Sequence, residues 1–304
     1  MPDREGRAAA AQAQRTGTGT APVCVGIPTY ARGARVLSTI ERVLACDPAP
    51  AEVVVHVDAS DGRLERDIAA AFPAVRILSS ASRVGPGGGR HRCIGATTQP
   101  FFASFDDDSW PMDADFFAEA VRIFEAYPKA AVLAASITHR GESPAAAAPE
   151  TDAASSFAGC GYALRVEAYR EIPGNVDRPW AYGIEEVDVS LQLYAAGWDI
   201  LRCRSLRAFH DTDLTHHNSS DLMAAVIQNV ALLAMLRYPV SLWPHALAQV
   251  GNRIWYTFRR GAYRGVVEGV LGLPKVLSSF ASQRRPLPAA AVRAYLRSRK
   301  APSR

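Results

Sequence analysis

The chain has 304 residues, enough for two domains or for one large α/β domain with an appendage. Apolar residues make up 48% and charged residues 21%, which excludes a disordered, collagen-like or polytopic membrane protein. Net charge is only +4, yet after residue 252 twelve Lys or Arg face the single acid Glu268, so the rest, with 22 basic and 29 acidic residues, is an acidic body.

Residues 1–20 show no apolar period and predict a mobile tail. Residues 23–27 form a β-branched strand stopped by Pro28. A helix is expected over 34–45, with Val36, Leu37, Ile40, Val43 and Leu44 on one side. Residues 52–58 read as a buried strand ending in Asp58, 63–72 as a helix and 75–78 as a strand. The stretch 87–98 opens as a loop and becomes a helix, 101–105 is a strand running into Asp106, Asp107 and Asp108, 113–127 a helix and 131–136 a strand. This alternation predicts a mostly parallel sheet covered by helices on both faces, with ligands outside the carboxyl ends of the strands. Residues 139–155 are a Pro/Ala-rich loop, 184–196 a helix ended by Gly197 and Trp198, and 200–203 a further strand.

The texture then changes. Residues 222–236 are apolar and uncharged, but 15 residues fall short of a span, which needs roughly 20. Farther on, Trp255, Tyr256, Phe258 and Tyr263 interleave with Arg253, Arg259, Arg260 and Arg264. That mixture suits a helix lying in a membrane interface, or helices packed on a core with a solvated basic face. The expected division is a tail at 1–20, a catalytic domain at 21–220, an amphipathic helical extension at 221–283 and a basic tail at 284–304. The five cysteines have no CxxC spacing and read as reduced and buried, and no signal-peptide run opens the sequence, so a cytoplasmic location is expected.

Asp106-Asp107-Asp108 carries the sharpest chemistry. Three carboxylates at the end of a buried strand repel one another unless a cation or polar partner neutralises them. Hard oxygen ligands favour Mg²⁺ or Mn²⁺ bridging phosphates; the plainer reading is an acidic turn in which Asp108 or Ser109 caps the next helix. Glu185 and Asp188, three apart, share a helix face while Glu186 points elsewhere. These acids are either helix-start chemistry or a general base. Gly85-Pro-Gly-Gly-Gly-Arg90-His91-Arg92 matches neither a dinucleotide fingerprint nor a P-loop. It is either a flexible loop or one whose backbone, with Arg90 and Arg92, approaches a diphosphate. His210, after the last strand, either completes a metal shell or sits in a polar loop; His216 and His217 are weaker candidates. Trp180 and Tyr182 either stack on an acceptor sugar or pack.

Ile27-Pro28-Thr29-Tyr30-Ala31-Arg32, Val57-Asp58, the Gly85–Arg92 stretch, Asp106–Asp108, residues 183–188 and His210 occur in an order that resembles the GT-A fold, family 2 inverting glycosyltransferases, over about residues 22–215. The resemblance implies an α/β GT-A fold with a helical C-terminal extension, and a nucleotide-diphosphate sugar as donor, UDP- or dTDP-linked, with Mg²⁺ or Mn²⁺. Pro28, Thr29, Tyr30, Arg32, Asp58, Arg83, Arg90, Asp106 and Asp107 would hold the donor, with Asp58 facing the base and Asp106 near the ribose. Asp108, with Asp106 and His210, would bind the metal. Residues 159–163, with Gly161, and also Trp180 and Asp188, would border the acceptor. Glu186 would be the base, with Glu185 its rival, because a Glu stands where the family usually has Asp. The C-terminal segment is similar to that of membrane-associated transferases of cell-surface polysaccharide pathways, including rhamnosyl types. That implies a sugar or lipid-linked acceptor, a peripheral location at the inner face of the membrane and no nucleic-acid partner. The rival readings are a nucleotidyltransferase and a non-catalytic binder of nucleic acid or anionic surfaces through the basic end; the acidic body and the absence of a Gly-rich, Lys-bearing first turn weigh against them.

Overall fold

In the computed structural model, which describes residues 19–180, 184–212 and 219–299, continuous apolar runs become strands buried on both faces. β1 (Ala21–Thr29) is buried at every position but Pro22. β2 (Pro50–Val57) carries Val53, Val54 and Val55 inside, and all of β4 (Phe101–Ser104) is buried. Helices α1 (Gly33–Leu44), α2 (Arg63–Ala71) and α3 (Gly85–Ala96) alternate with β2, β3 (Arg76–Ser79) and β4. There follow β5 (Ser109–Pro111), α4 (Phe116–Ala126), β6 (Ala130–His139), β7 (Thr151–Ala153), β8 (Tyr162–Arg165), α5 (Val166–Arg170), α6 (Glu185–Ala195) and β9 (Asp199–His210).

The sheet order is β3-β2-β1-β4-β8-β6-β9-β5, with β7 also on β9. From β3 to β4 it is wholly parallel, as expected. Beyond β4 it is mixed, because β8 enters antiparallel to both β4 and β6 and because β5 and β7 return along β9, itself parallel to β6. Phe101, Phe105, Phe116, Phe117, Ile123 and Phe124 fill the core under this half, Phe101 stacked on Phe124 at 4.6 Å.

Several expected boundaries move for local reasons. Pro28 does not stop β1, which runs to Thr29. The pairing with β4 ends at Gly26, so Pro28 sits where the strand has only β2 beside it and its missing N–H costs nothing. The glycine-rich stretch is not a loop; it is helical from Gly85, with Pro86 in the first turn. Asp58 accepts hydrogen bonds from the Val84 and Gly85 amides, 2.8 and 3.0 Å. A Cβ on Gly89 would lie 2.9 Å from His56 Nδ1, so this glycine lets α3 settle against the sheet. The last strand runs on from Cys203 to His210, its polar residues held by edge partners: Arg204 by Glu150 and Arg207 by Asp113. The loop expected at 139–155 contains β7.

The described chain divides into two units, Met1–Arg178 with Trp198–Thr212, which holds the sheet, and Pro179–Gly197 with Asp213–Arg304, which is helical. The second contains α6, α7 (Ser220–Arg237), α8 (Trp243–Arg259), α9 (Tyr263–Leu271), α10 (Leu273–Ser279) and α11 (Ala289–Ser298). Ser219 caps α7, accepting from the Leu222 amide at 3.2 Å. α7 is, among the described residues, long and apolar enough to cross a membrane, with mean hydropathy 1.3, but 61% of it is buried inside the protein. α8, α9 and α10 pack along it. The stretch expected as a basic tail includes α11, which packs on α6 and buries Val292 and Tyr295. Arg284 donates to the Met235 and Tyr238 carbonyls, closing the end of α7. Residues 1–18 of the expected tail, and Tyr182, His216 and His217, lie outside the described residues.

Candidate active site

The carboxyl ends of β1, β2 and β4 and the end of β9 assemble a polar site within the first unit. Phe105 is fully buried, edge-on to Phe116 at 5.5 Å, and anchors the turn that follows β4. The turn is tight: the Asp106 amide donates to Ser109 Oγ (2.7 Å) and the Ser109 amide to the Asp106 carbonyl (3.1 Å). It does not cap a helix; β5 starts at Ser109 and pairs with β9, Ser109 opposite His210. That register brings His210 to Asp108, Nε2 to Oδ1 at 3.2 Å. His210 is thus the last residue of a strand and not part of a polar loop.

The three carboxylates have different environments. Asp106, the most open, is gripped by Arg90, a buried guanidinium that also donates to Ser104 Oγ (3.1 Å) and the Gly159 carbonyl (3.1 Å). Asp107 turns inward, accepting from Thr29 Oγ1 at 2.8 Å and Arg32 at 3.2 Å; burial pushes its carboxyl up to about 6 against the pull of Arg32. Asp108 also accepts from Arg32 (2.8 Å) and Arg35 (3.0 Å). Burial alone would raise it, but His210, Arg32 and Arg35 outweigh burial and hold it below the usual carboxylate range. His210 loses to burial as well, yet Asp108 and Cys160 raise its imidazolium to about 10.

Asp106, Asp108 and His210 place one ligand atom each within 4.8 Å of one another. Two hard carboxylates and an imidazole are a donor set suited to Mn²⁺ or Mg²⁺, and an ion there would take the place of the His210 proton and of the arginine contacts now at Asp108. The residues therefore fit such an ion. Tyr30 is exposed, and Arg83 stacks over its ring at 4.2 Å, forming a flat platform beside β1. Ala31 and Ala59, just after β1 and β2, hold left-handed backbone (φ 55° and 48°), a conformation non-glycine residues seldom adopt outside functional loops.

Other expected residues have different duties. Pro28 faces Gly89 from β1, and Asp58 is committed to the α3 amides. Arg92 forms a two-pronged pair with Asp177, 2.7 and 2.9 Å. His91 is held by the Tyr169 hydroxyl at 3.0 Å, and burial lowers its pKa. Gly161 is buried, and a Cβ there would lie 2.7 Å from Ile137 and 2.8 Å from Ala208. Asp188 forms a buried bidentate pair with Arg237, 2.6 and 2.9 Å. Trp180 is half exposed, its carbonyl accepting from Asn229 at 2.7 Å. Glu185 and Glu186 start α6, Glu185 buried and Glu186 half-buried. The site residue missed by sequence reasoning is Arg35. Its signal was its place three residues after Arg32, on one face of the first helical turn.

A family model described as Glycosyl transferase family 2 matches residues 24–181. Among solved structures, the mannosyltransferase PcManGT from Pyrobaculum calidifontis, in complex with GDP-Man and Mn²⁺, is 15% identical with a TM-score of 0.55, over 96% of this chain and 92% of that one. TarS from S. aureus is 13% identical with a TM-score of 0.55, over 91% of each chain. GalNAc-T7, crystallised with UDP, GalNAc and Mn²⁺, is 15% identical with a TM-score of 0.55 over 71% of this chain, which spans only 48% of its length. At these identities the likeness is one of fold. No curated protein matches the chain.

Proposed function

The chain belongs to glycosyl transferase family 2, and from that premise we propose that it transfers a sugar, with inversion, from a nucleoside-diphosphate donor to an acceptor hydroxyl, using a divalent cation. The observation that carries the reading is the convergence of Asp106, Asp108 and His210 at the strand ends. These three would hold Mn²⁺ or Mg²⁺, which when bound neutralises charge on the leaving diphosphate. Arg32 and Arg35, already at Asp108, present guanidinium forks suited to phosphate oxygens. The Tyr30–Arg83 platform offers a face for a nucleobase, and UDP- or dTDP-linked sugars are the donors proposed. Glu186, the more open acid of the α6 start, takes the proton from the acceptor hydroxyl, whose oxygen then attacks the anomeric carbon from the face opposite the diphosphate. Solved GT-A relatives bound to GDP-Man or UDP with Mn²⁺ support the donor class and the metal.

The reading extends to where the enzyme works. Trp255, Phe258, Tyr263 and Leu271 stand 58%, 47%, 59% and 74% exposed on α8 and α9, on a segment where basic residues outnumber acids. Such a face lies comfortably in an anionic bilayer surface. We place the protein in the cytoplasm, peripheral to the inner face of the membrane and acting on a sugar or lipid-linked acceptor in cell-surface glycan synthesis. The five free, buried cysteines accord with a reducing compartment. The test is donor turnover over a panel of UDP-, dTDP-, GDP- and CDP-sugars with Mn²⁺, Mg²⁺ or EDTA, with the product anomer read by NMR. Metal-dependent turnover of one nucleotide class with inverted product is expected, and lost in Glu186→Gln. Retained configuration, or full turnover in EDTA, contradicts it.

A further inference from the structure

The second unit contains a cavity of about 740 Å³ that the donor chemistry leaves unused. Arg253 and Arg259 of α8, Arg260 just beyond it and Arg299 after α11 line it, and among the described lining residues there is no Asp or Glu. The single acid of this segment, Glu268, pairs elsewhere, with Arg264 at 2.7 Å. Tyr256 orders the cationic wall: Arg253 and Arg260 lie 5.3 and 5.6 Å from its ring centre, and Arg260 Nη1 donates to its hydroxyl at 2.7 Å. The opposite character is supplied by Val187 of α6 and by Val230 and Leu233 of α7, which give the cavity an apolar wall. Gln249 and Asn252 add amide groups, Gln249 accepting from the Tyr238 hydroxyl at 3.2 Å.

Four guanidiniums in one concavity repel one another, and the arrangement is favourable when an anion with several acceptor oxygens occupies it. Guanidinium forks fit phosphate oxygens two at a time, which a carboxylate offers only once. The volume lies within the range of small-ligand sites, and the apolar wall needs a hydrocarbon partner to be excluded from water. We propose that this cavity binds one phosphate- or diphosphate-bearing amphiphile, its phosphate held by Arg253, Arg259, Arg260 and Arg299 and its apolar portion against Val187, Val230 and Leu233. As a binding site it stands on the second unit alone.

The test uses the full chain and decyl phosphate below its aggregation concentration, titrated calorimetrically beside decyl maltoside, inorganic pyrophosphate, and vesicles of phosphatidylglycerol or phosphatidylcholine. Saturable one-to-one binding of decyl phosphate is expected, about tenfold or more tighter than either the neutral amphiphile or pyrophosphate. The exposed pair Arg259→Gln/Arg299→Gln should weaken it by about tenfold or more, and Val230→Phe, which fills the apolar side, should weaken it independently. Pyrophosphate binding as tightly as decyl phosphate would make this a free-anion site and overturn the proposal, as would equal binding of decyl maltoside. So would adsorption to phosphatidylglycerol vesicles with no binding of the monomer, or an undiminished affinity in both variants. Mn²⁺-dependent nucleotide binding, measured on the same samples, reports the donor site separately, so either reading can fail alone.

Discussion

Two aspartate–arginine groupings, one in each unit, use the same side chains for opposite ends. In the helical unit Asp188 meets one cationic partner, Arg237, in a bidentate pair with both side chains 2% exposed, and a hydrogen bond from Gln192. Burial raises the Asp188 carboxyl, Arg237 pulls it back, and water has no access. In the sheet unit Asp108 meets three cationic partners, two of them arginines with half-exposed side chains. A sealed pair has nowhere to go and serves the fold. A carboxylate at a strand end with several reachable cations can exchange them for an ion and a phosphate. What separates structure from function here is access and the number of partners, not residue type.

The largest expected effect falls on the open grouping. Asp108→Asn should cut turnover by about 10³-fold, the several kcal/mol of charge stabilisation a metal site supplies, with the protein still folded. The sealed pair should respond the other way. Arg237→Met leaves a buried charge and should cost about 3–5 kcal/mol of stability, measured by urea unfolding, with Asp188→Asn/Arg237→Met recovering most of it. The sign of its pH dependence follows. Without Arg237 the folded-state pKa of Asp188 rises further above its unfolded value. The stability that the single variant retains is then present at low pH and lost as pH rises through the folded-state value, so its melting temperature should increase on acidification from neutrality. Gly161→Ala tests a third kind of burial: forcing a Cβ against Ile137 and Ala208 should destabilise by about 1–3 kcal/mol. Fluorescent nucleotide binding should be kept if the residue only packs.

The smallest effect sharpens the comparison most. Arg35→Ala removes one exchangeable cation from Asp108. Mn²⁺ affinity measured by competition with a chelating dye should tighten about threefold to tenfold, as expected for one half-exposed charge, while the KM for donor rises.

The alternation of apolar runs and helical periods was enough to predict the parallel half of the sheet, from β3 to β4, and the placing of Asp58 and Asp106–Asp108 at strand ends, but not the antiparallel entry of β8, β5 and β7. Pairing across the sheet was not legible. Nothing local announces that Ser109 will pair opposite His210, and that register alone brings the imidazole to Asp108. The Gly85–Gly89 run misleads for a related reason: low helix propensity is overridden by how closely a helix without side chains can lie on β1 and β2. Asp188 shares a face with Glu185, as its spacing indicates, but its partner stands 49 residues away and is invisible to any local pattern.

Mn²⁺ binding followed by electron paramagnetic resonance, with and without UDP or dTDP, tests the central claim most directly. The account predicts that wild-type protein takes up one Mn²⁺ when nucleotide is present, and that Asp108→Asn takes up none while remaining folded. Nucleotide binding of equal affinity in EDTA, or Mn²⁺ uptake undiminished in Asp108→Asn, would contradict the assignment of Asp106, Asp108 and His210 as the metal-holding centre.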